Sequence, residues 1–159
     1  MKNIIKTKQS VLSRLSKNAR IALRNAGIVA EHFDSKEITP RYLLVGILLN
    51  RDSIARRTIE EMDIETDRLL NKVLDGSNID ITANGGQSRD IVLSKTTQDL
   101  LRRAYDWSSK LSHVYVGTEH ILLAILTSEI PLKKELKKEG LDSKNFRKKL
   151  GEYAIYPLG

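Results

Sequence analysis

The strongest restriction on the fold of this chain is that it contains the same unit twice. Leu15-Ser16-Lys17 recurs 78 residues later as Leu93-Ser94-Lys95, and the same offset carries Ala26 onto Ala104, Leu44 onto Leu122 and Ile47-Leu48 onto Ile125-Leu126. Farther on, Ile59 matches Leu136 and Ile64 matches Leu141 at an offset of 77, so the second copy has lost one residue between Ser128 and Pro131. A unit of about 60 residues has a marginal core when it folds alone. The two copies are therefore expected to pack against each other about a pseudo-twofold axis.

Within each copy the apolar spacing is helical. Ala19, Ala22, Leu23, Ala26, Ala30 and Phe33 step by three and four, and Thr97, Leu100, Leu101, Ala104, Ser108 and Leu111 trace the same stripe. Ser16 and Ser94 stand where an N-cap belongs. A second helix is predicted after Thr39, with Pro40 at its first position, where a missing N–H costs nothing. It carries the apolar run Tyr42 to Leu49, matched in the second copy by Ile121 to Leu126, and these two helices are predicted to be central and buried. Asp52 or Ser53 is expected to cap a third helix, and Thr66 precedes a fourth. In the second copy Gly140 is read as a left-handed stop and Ser143 as a cap.

The predicted fold is all-α: two tandem four-helix repeats, about eight helices, packed with pseudo-twofold symmetry. The boundaries read from the sequence are a basic N-terminal extension at 1–14, repeats at 15–74 and 93–150, a linker rich in glycine and asparagine at 75–92, and a tail at 151–159.

Composition narrows the function classes. The 159 residues leave little room for a catalytic domain beside the duplication, and without cysteine there are no disulfides or thiolate metal sites. No apolar run approaches the roughly 20 residues of a membrane helix, and the start lacks a secretory pattern, so a cytoplasmic protein is expected. A net charge of +7 favours acidic partners.

The octapeptide Val116-Gly117-Thr118-Glu119-His120-Ile121-Leu122-Leu123, with Ser94 and Ala104 upstream and all of it inside a duplicated helical unit, resembles the amino-terminal repeat domain of Clp-type AAA+ unfoldases, nearest the ClpC and ClpA branch. The resemblance runs from Leu15 to about Leu150. It implies a non-enzymatic docking module that recruits substrates or adaptor proteins to, or modulates, an unfoldase working with the ClpP peptidase. In the ClpC branch the domain also binds phosphorylated arginine, which carried over here implicates Ser94 and Glu119. In the first copy Thr39-Pro40-Arg41-Tyr42 replaces the Gly-Thr-Glu-His turn, so a cation stands where that site needs a carboxylate. No Gly-x-x-x-x-Gly-Lys-Ser/Thr loop is present, hence no phosphate cradle for ATP and no expected cofactor. The chain is an excised domain or a stand-alone relative; its own N-terminal segment and tail favour the latter.

Each singled-out residue also has a plainer role. Glu119 suits the positive end of a helix, and Ser94 suits an N-cap. His113 and His120 are seven apart with Glu119 adjacent, a set that suggests a metal, but with no i, i+4 pair and no third ligand they are read as a turn histidine and a helix histidine packing against backbone, and no metal is expected. Lys133, Lys134, Lys137 and Lys138 form a basic face broken by Glu135 and Glu139; it could present charge to an acidic protein partner. The rival reading, a basic helical nucleic-acid-associated protein, lacks the aromatics that stack bases. Trp107, the single tryptophan, either packs half-buried or borders a groove as an anchor for a partner.

Overall fold

Both apolar stripes become the opening helices of two like units. The computed structural model of the protein describes residues 11–74 and 91–152. Its elements are α1 (Lys17–His32), β1 (Glu37–Ile38), α2 (Pro40–Leu48), α3 (Ile54–Glu61), α4 (Thr66–Val73), β2 (Val92–Leu93), α5 (Lys95–Lys110), α6 (Thr118–Thr127), α7 (Pro131–Lys138) and α8 (Ser143–Gly151). Most of the expected N-terminal extension, linker and tail lies outside the described residues. Val11, counted with the extension, is only 3% exposed and belongs to the core, and Val92, counted with the linker, forms part of β2.

The helix starts follow the sequence offsets. Helices α1 and α5, and likewise α2 and α6, begin 78 residues apart, whereas α3 and α7, and α4 and α8, begin 77 apart. The turns repeat too. Asp34 and Ser112 adopt φ of +55° and +61° after the first helix of each copy, and Asp63 and Gly140 adopt +61° and +90° after the third. A helix that must stop and reverse needs a left-handed residue there, and only at Gly140 is it the residue that takes this conformation without strain.

Capping explains where the helices begin. The Ser16 and Ser94 hydroxyls accept the amides of Ala19 and Thr97, each at 3.1 Å, and Ser53 accepts that of Arg56 at 3.1 Å. Two expected caps shift by one residue. The fourth helix of the second copy is capped by Asp142, whose carboxylate accepts the Asn145 amide at 2.8 Å, leaving Ser143 as the first helical residue. Thr66 is likewise the first residue of α4, and its hydroxyl bonds the Glu60 carboxylate instead of an amide.

Helices α2 and α6 occupy the centre, with Leu43 to Leu48 and Thr118 to Leu126 buried without a break. In the first copy α1 approaches α2 so closely that a Cβ at Gly46 would lie 2.1 Å from the Ala22 carbonyl oxygen. Ala22, Ala26 and Gly46 thus form a contact between backbones, where the second copy has Leu100, Ala104 and Ala124.

The copies are joined by an exchange of extended segments. Leu15 makes a parallel bridge with Val116, and Ile38 pairs in parallel with Leu93. Leu93 is the duplicate of Leu15 and Val116 that of Ile38, so these are one contact repeated by the pseudo-twofold. The strands are two residues long and the architecture remains all-α. Helix α3 is also tied across, since the Ala55 amide donates to the Thr118 hydroxyl at 3.1 Å. No described helix is long and apolar enough to cross a membrane.

Candidate functional site

The two turns that open α2 and α6 carry the residues singled out by the sequence, and the segment exchange decides what faces them. The Ser16 amide donates to the Val116 carbonyl at 2.9 Å, while the Ser94 amide donates to the Ile38 carbonyl at 3.1 Å. Each helix-start serine is therefore joined to the turn of the other copy. Ser94 adjoins the turn bearing Arg41, and the backbone beside Glu119 is joined to Ser16. The pairing of Ser94 with Glu119, inferred within one copy, does not follow the backbone connections. The Ser94 hydroxyl also donates to the Thr97 hydroxyl at 3.0 Å.

Glu119 is fully buried at the second position of α6. Its Oε2 accepts the Tyr115 hydroxyl at 3.1 Å. A carboxylate in this first turn benefits from the helix dipole, the plainer of its two expected roles.

Next to it lies an interaction that sequence reasoning missed. The N-cap of α6 is Gly117, which has no side chain to cap with, and His120 at the third helical position reaches back so that its Nδ1 accepts the Gly117 amide at 2.8 Å. This is the half of a capping box usually supplied by Glu or Gln. Since Nδ1 accepts, the proton of the neutral ring sits on Nε2, which lies 2.8 Å from His113 Nδ1 and donates to it. Burial, and secondarily the repulsion between the two rings when both carry a proton, lowers the pKa of His120 to about 3, keeping the ring neutral as this arrangement requires. His113 in turn stacks on Tyr115, with centroids 5.1 Å apart. The usable signal was the third position after the glycine; in the first copy that position is Tyr42, whose amide is capped by Thr39 at 3.4 Å.

His113, Glu119 and His120 bring one ligand-type atom each within 4.8 Å of one another, so the residue adjacent to His120 in sequence joins the two histidines in space. The two histidine nitrogens at 2.8 Å sit at hydrogen-bond separation. Two nitrogens on a tetrahedral zinc, each about 2.0–2.1 Å from the ion, stand roughly 3.3 Å apart. The cluster is therefore arranged as a hydrogen-bond network.

In the first copy Arg41 occupies the position of Glu119 and takes a different partner. Its guanidinium forks onto Glu135 of α7, Nη1 to Oε1 at 3.0 Å and Nη2 to Oε2 at 2.5 Å, and also donates to the Val73 carbonyl at 3.0 Å. The hydrogen bond from Arg41, backed by the charges of Arg41 and Lys138, holds the Glu135 carboxyl below the usual range against the opposing effect of partial burial.

Apart from these turns, a groove of about 410 Å³ is lined by Arg103, Asp106, Trp107, Ser109, Lys110 and Thr127. Trp107 is half-buried, and its indole N–H donates to the Thr127 hydroxyl at 3.3 Å. The Lys110 ammonium lies 5.3 Å and the Arg147 guanidinium 5.0 Å from the ring centroid. On α7, Lys134, Lys137 and Lys138 are exposed, whereas Lys133 is partly covered and pairs with Glu129 at 3.1 Å. The structure does not bring these lysines into the lining of the groove.

A duplicated domain with eight named helices among the described residues, closed by exchanged segments and carrying a Gly-Thr-Glu-His turn on its second central helix, fits the domain class of the Clp N-termini. Residues 14–139 match the Clp repeat (R) N-terminal domain family, and the chain belongs to that family. It is 30% identical over 114 residues to an uncharacterised protein of Mycobacterium tuberculosis, covering 72% of this chain and 42% of that one. It is 27% identical over 118 residues to ClpC, the ATP-binding subunit of the ATP-dependent Clp protease of Staphylococcus aureus, covering 73% and 14%. The chain thus spans less than half the length of these relatives. Among solved structures, the N-domain of ClpV from Vibrio cholerae superimposes with a TM-score of 0.72 at 20% identity, covering 91% of this chain and 87% of that one. A ClpV N-domain in complex with a VipB peptide gives 0.66 at 20%, covering 86% and 84%.

Proposed function

We propose that the protein is a non-catalytic binding module that recruits protein segments to, or modulates, a Clp AAA+ unfoldase working with the ClpP peptidase. The observation that carries this reading is that the family match takes up most of the chain, so that docking surfaces dominate what the chain offers. The VipB peptide on a ClpV N-domain of the same fold supports a peptide-docking role. Affinity purification of the tagged chain from its native cells is expected to bring down a Clp unfoldase subunit together with substrate or adaptor proteins. Recovery of no Clp component in the presence of a crosslinker would overturn the proposal.

Phosphoarginine recognition is a finer form of this reading. A carboxylate forks readily onto a guanidinium, and a helix start suits a phosphate. Given the exchanged segments, the hydroxyl partner for Glu119 would be Ser16 rather than Ser94, and Tyr115 would have to release the buried carboxylate. Calorimetric titration with free phosphoarginine tests it: binding is expected to be lost in Glu119→Ala and weakened in Ser16→Ala but not in Ser94→Ala. Absence of binding to the wild type removes this form and leaves the broader proposal standing.

A further inference from the structure

The duplication supplies an internal control for the groove at Trp107. The residues that build it are those at which the second copy departs from the first. Among the lining residues, Trp107 stands where the first copy has Val29 and Thr127 where it has Leu49; Arg147, which lies over the Trp107 ring without lining the groove, stands where it has Leu70. Val29 is fully buried and Leu49 and Leu70 pack against the core, so the first copy closes this position with apolar side chains. In the second copy the same position opens into a recess bordered by cations. Arg103, Lys110 and Arg147 are exposed, and Lys144 and Lys148 continue the exposed basic face of α8.

The lining holds one carboxylate, Asp106, beside the cations Arg103 and Lys110. None of Arg103, Lys110, Lys144, Arg147 and Lys148 forms an ion pair among the described residues, a condition they share with other exposed cations such as Arg20, Arg51 and Lys134; what sets them apart is that they gather around one groove. Lys110 and Arg147 are both drawn to one indole ring, which attracts cations to its face but does not neutralise them. Like charges gathered over a half-buried surface repel one another, and an incoming carboxylate would convert that repulsion into charge-assisted hydrogen bonds.

We propose that this groove docks an acidic peptide segment of a protein partner, with carboxylates on Arg103, Lys110 and Arg147, the last two of which lie over the indole. The inference rests on the binding-module reading above and names the chemistry of what is bound. A single-stranded nucleic acid fits less well. Base stacking needs an uncovered aromatic face, and the one aromatic in the lining is engaged by two cations.

Trp107 is the only tryptophan, so its emission reports on the groove directly. The full chain is titrated with a synthetic peptide of alternating Glu and Leu, with the Lys-Leu counterpart, and with a single-stranded oligonucleotide. The acidic peptide is expected to change the emission saturably and the basic one to leave it unchanged. Lys110→Glu/Arg147→Glu, with helicity checked by circular dichroism, is expected to weaken the acidic peptide at least about tenfold, the scale of a lost charge pair at a binding surface. A control of equal net charge, Lys36→Glu/Arg51→Glu on the first copy, is expected to change affinity less than about threefold, the scale of exposed and screened charges. The inference is overturned by absence of acidic-peptide binding, by equal weakening in the control, or by tighter binding of the oligonucleotide. Where the wild type still co-purifies with a Clp unfoldase in any of those cases, the inference falls alone; where it does not, the binding-module reading falls as well.

Discussion

Gly46 and His120 show what single residues contribute here. At Gly46 a methyl group would meet the Ala22 carbonyl oxygen at 2.1 Å and the Ala26 nitrogen at 2.9 Å. Both are backbone atoms of α1, so no rotamer change can relieve the clash and the helices must separate. Gly46→Ala is expected to destabilise the protein by at least about 3 kcal/mol, the upper range of overpacking, read as a fall in the chemical-denaturation midpoint. The duplicate of Gly46 is Ala124, so Ala124→Gly is expected to cost no more than about 1 kcal/mol, mainly through backbone entropy. His120 has a folded pKa of about 3 against an ordinary 6.5. The unfolded chain binds the proton more readily, so the contribution of His120 to stability is complete above pH 6.5 and declines as the pH falls toward 3. Within that window the slope from this residue approaches about 1.4 kcal/mol per pH unit. His120→Gln is expected to flatten that part of the stability profile measured by denaturant titration at several pH values; an unchanged slope would assign the acid sensitivity elsewhere.

Between elements, the decisive contacts are those that cross from one copy to the other. The fork from Arg41 to Glu135 joins the start of α2 to α7, yet the side chains are 34% and 45% exposed. Solvent screens such a pair, and a double-mutant cycle with Arg41→Ala and Glu135→Ala is expected to return a coupling no larger than about 1 kcal/mol, smaller still in high salt. Because the Glu135 carboxyl is held below its usual range, this coupling is present above the ordinary carboxylate pKa and disappears as the pH falls through the lowered value. The serine caps act through backbone amides and carry no such salt dependence. Ser16→Ala and Ser94→Ala are each expected to cost about 1 kcal/mol. The larger loss is expected at Ser94, which is 8% exposed and leaves the Thr97 hydroxyl without its donor.

At the scale of the molecule, exchanged segments and a shared core make the halves interdependent. Unfolding followed by Trp107 emission, a probe in the second copy, is expected to coincide with unfolding followed by far-ultraviolet circular dichroism, which senses both copies. Separate transitions would show that the copies are independent domains.

Much of this arrangement was legible in the amino-acid sequence, because helix periodicity, caps and duplication are local or translational patterns. The apolar stripes of α1 and α5, the proline start of α2, the glycine stop at Gly140 and the burial of both central runs follow from spacing alone. Spacing could not reveal that Leu15 pairs with Val116 and Leu93 with Ile38, since a repeat specifies two like units without saying which surfaces they trade. That exchange gave Ser16 and Ser94 their neighbours in the opposite copy. Nor could spacing predict that His113, Glu119 and His120 converge, or that Arg147 of α8 reaches the ring of Trp107 on α5. Local sequence determined the helices and their ends, because a helix is built from contacts within a few residues. Tertiary packing alone decided the sites, because each depends on side chains that distant parts of the chain bring together.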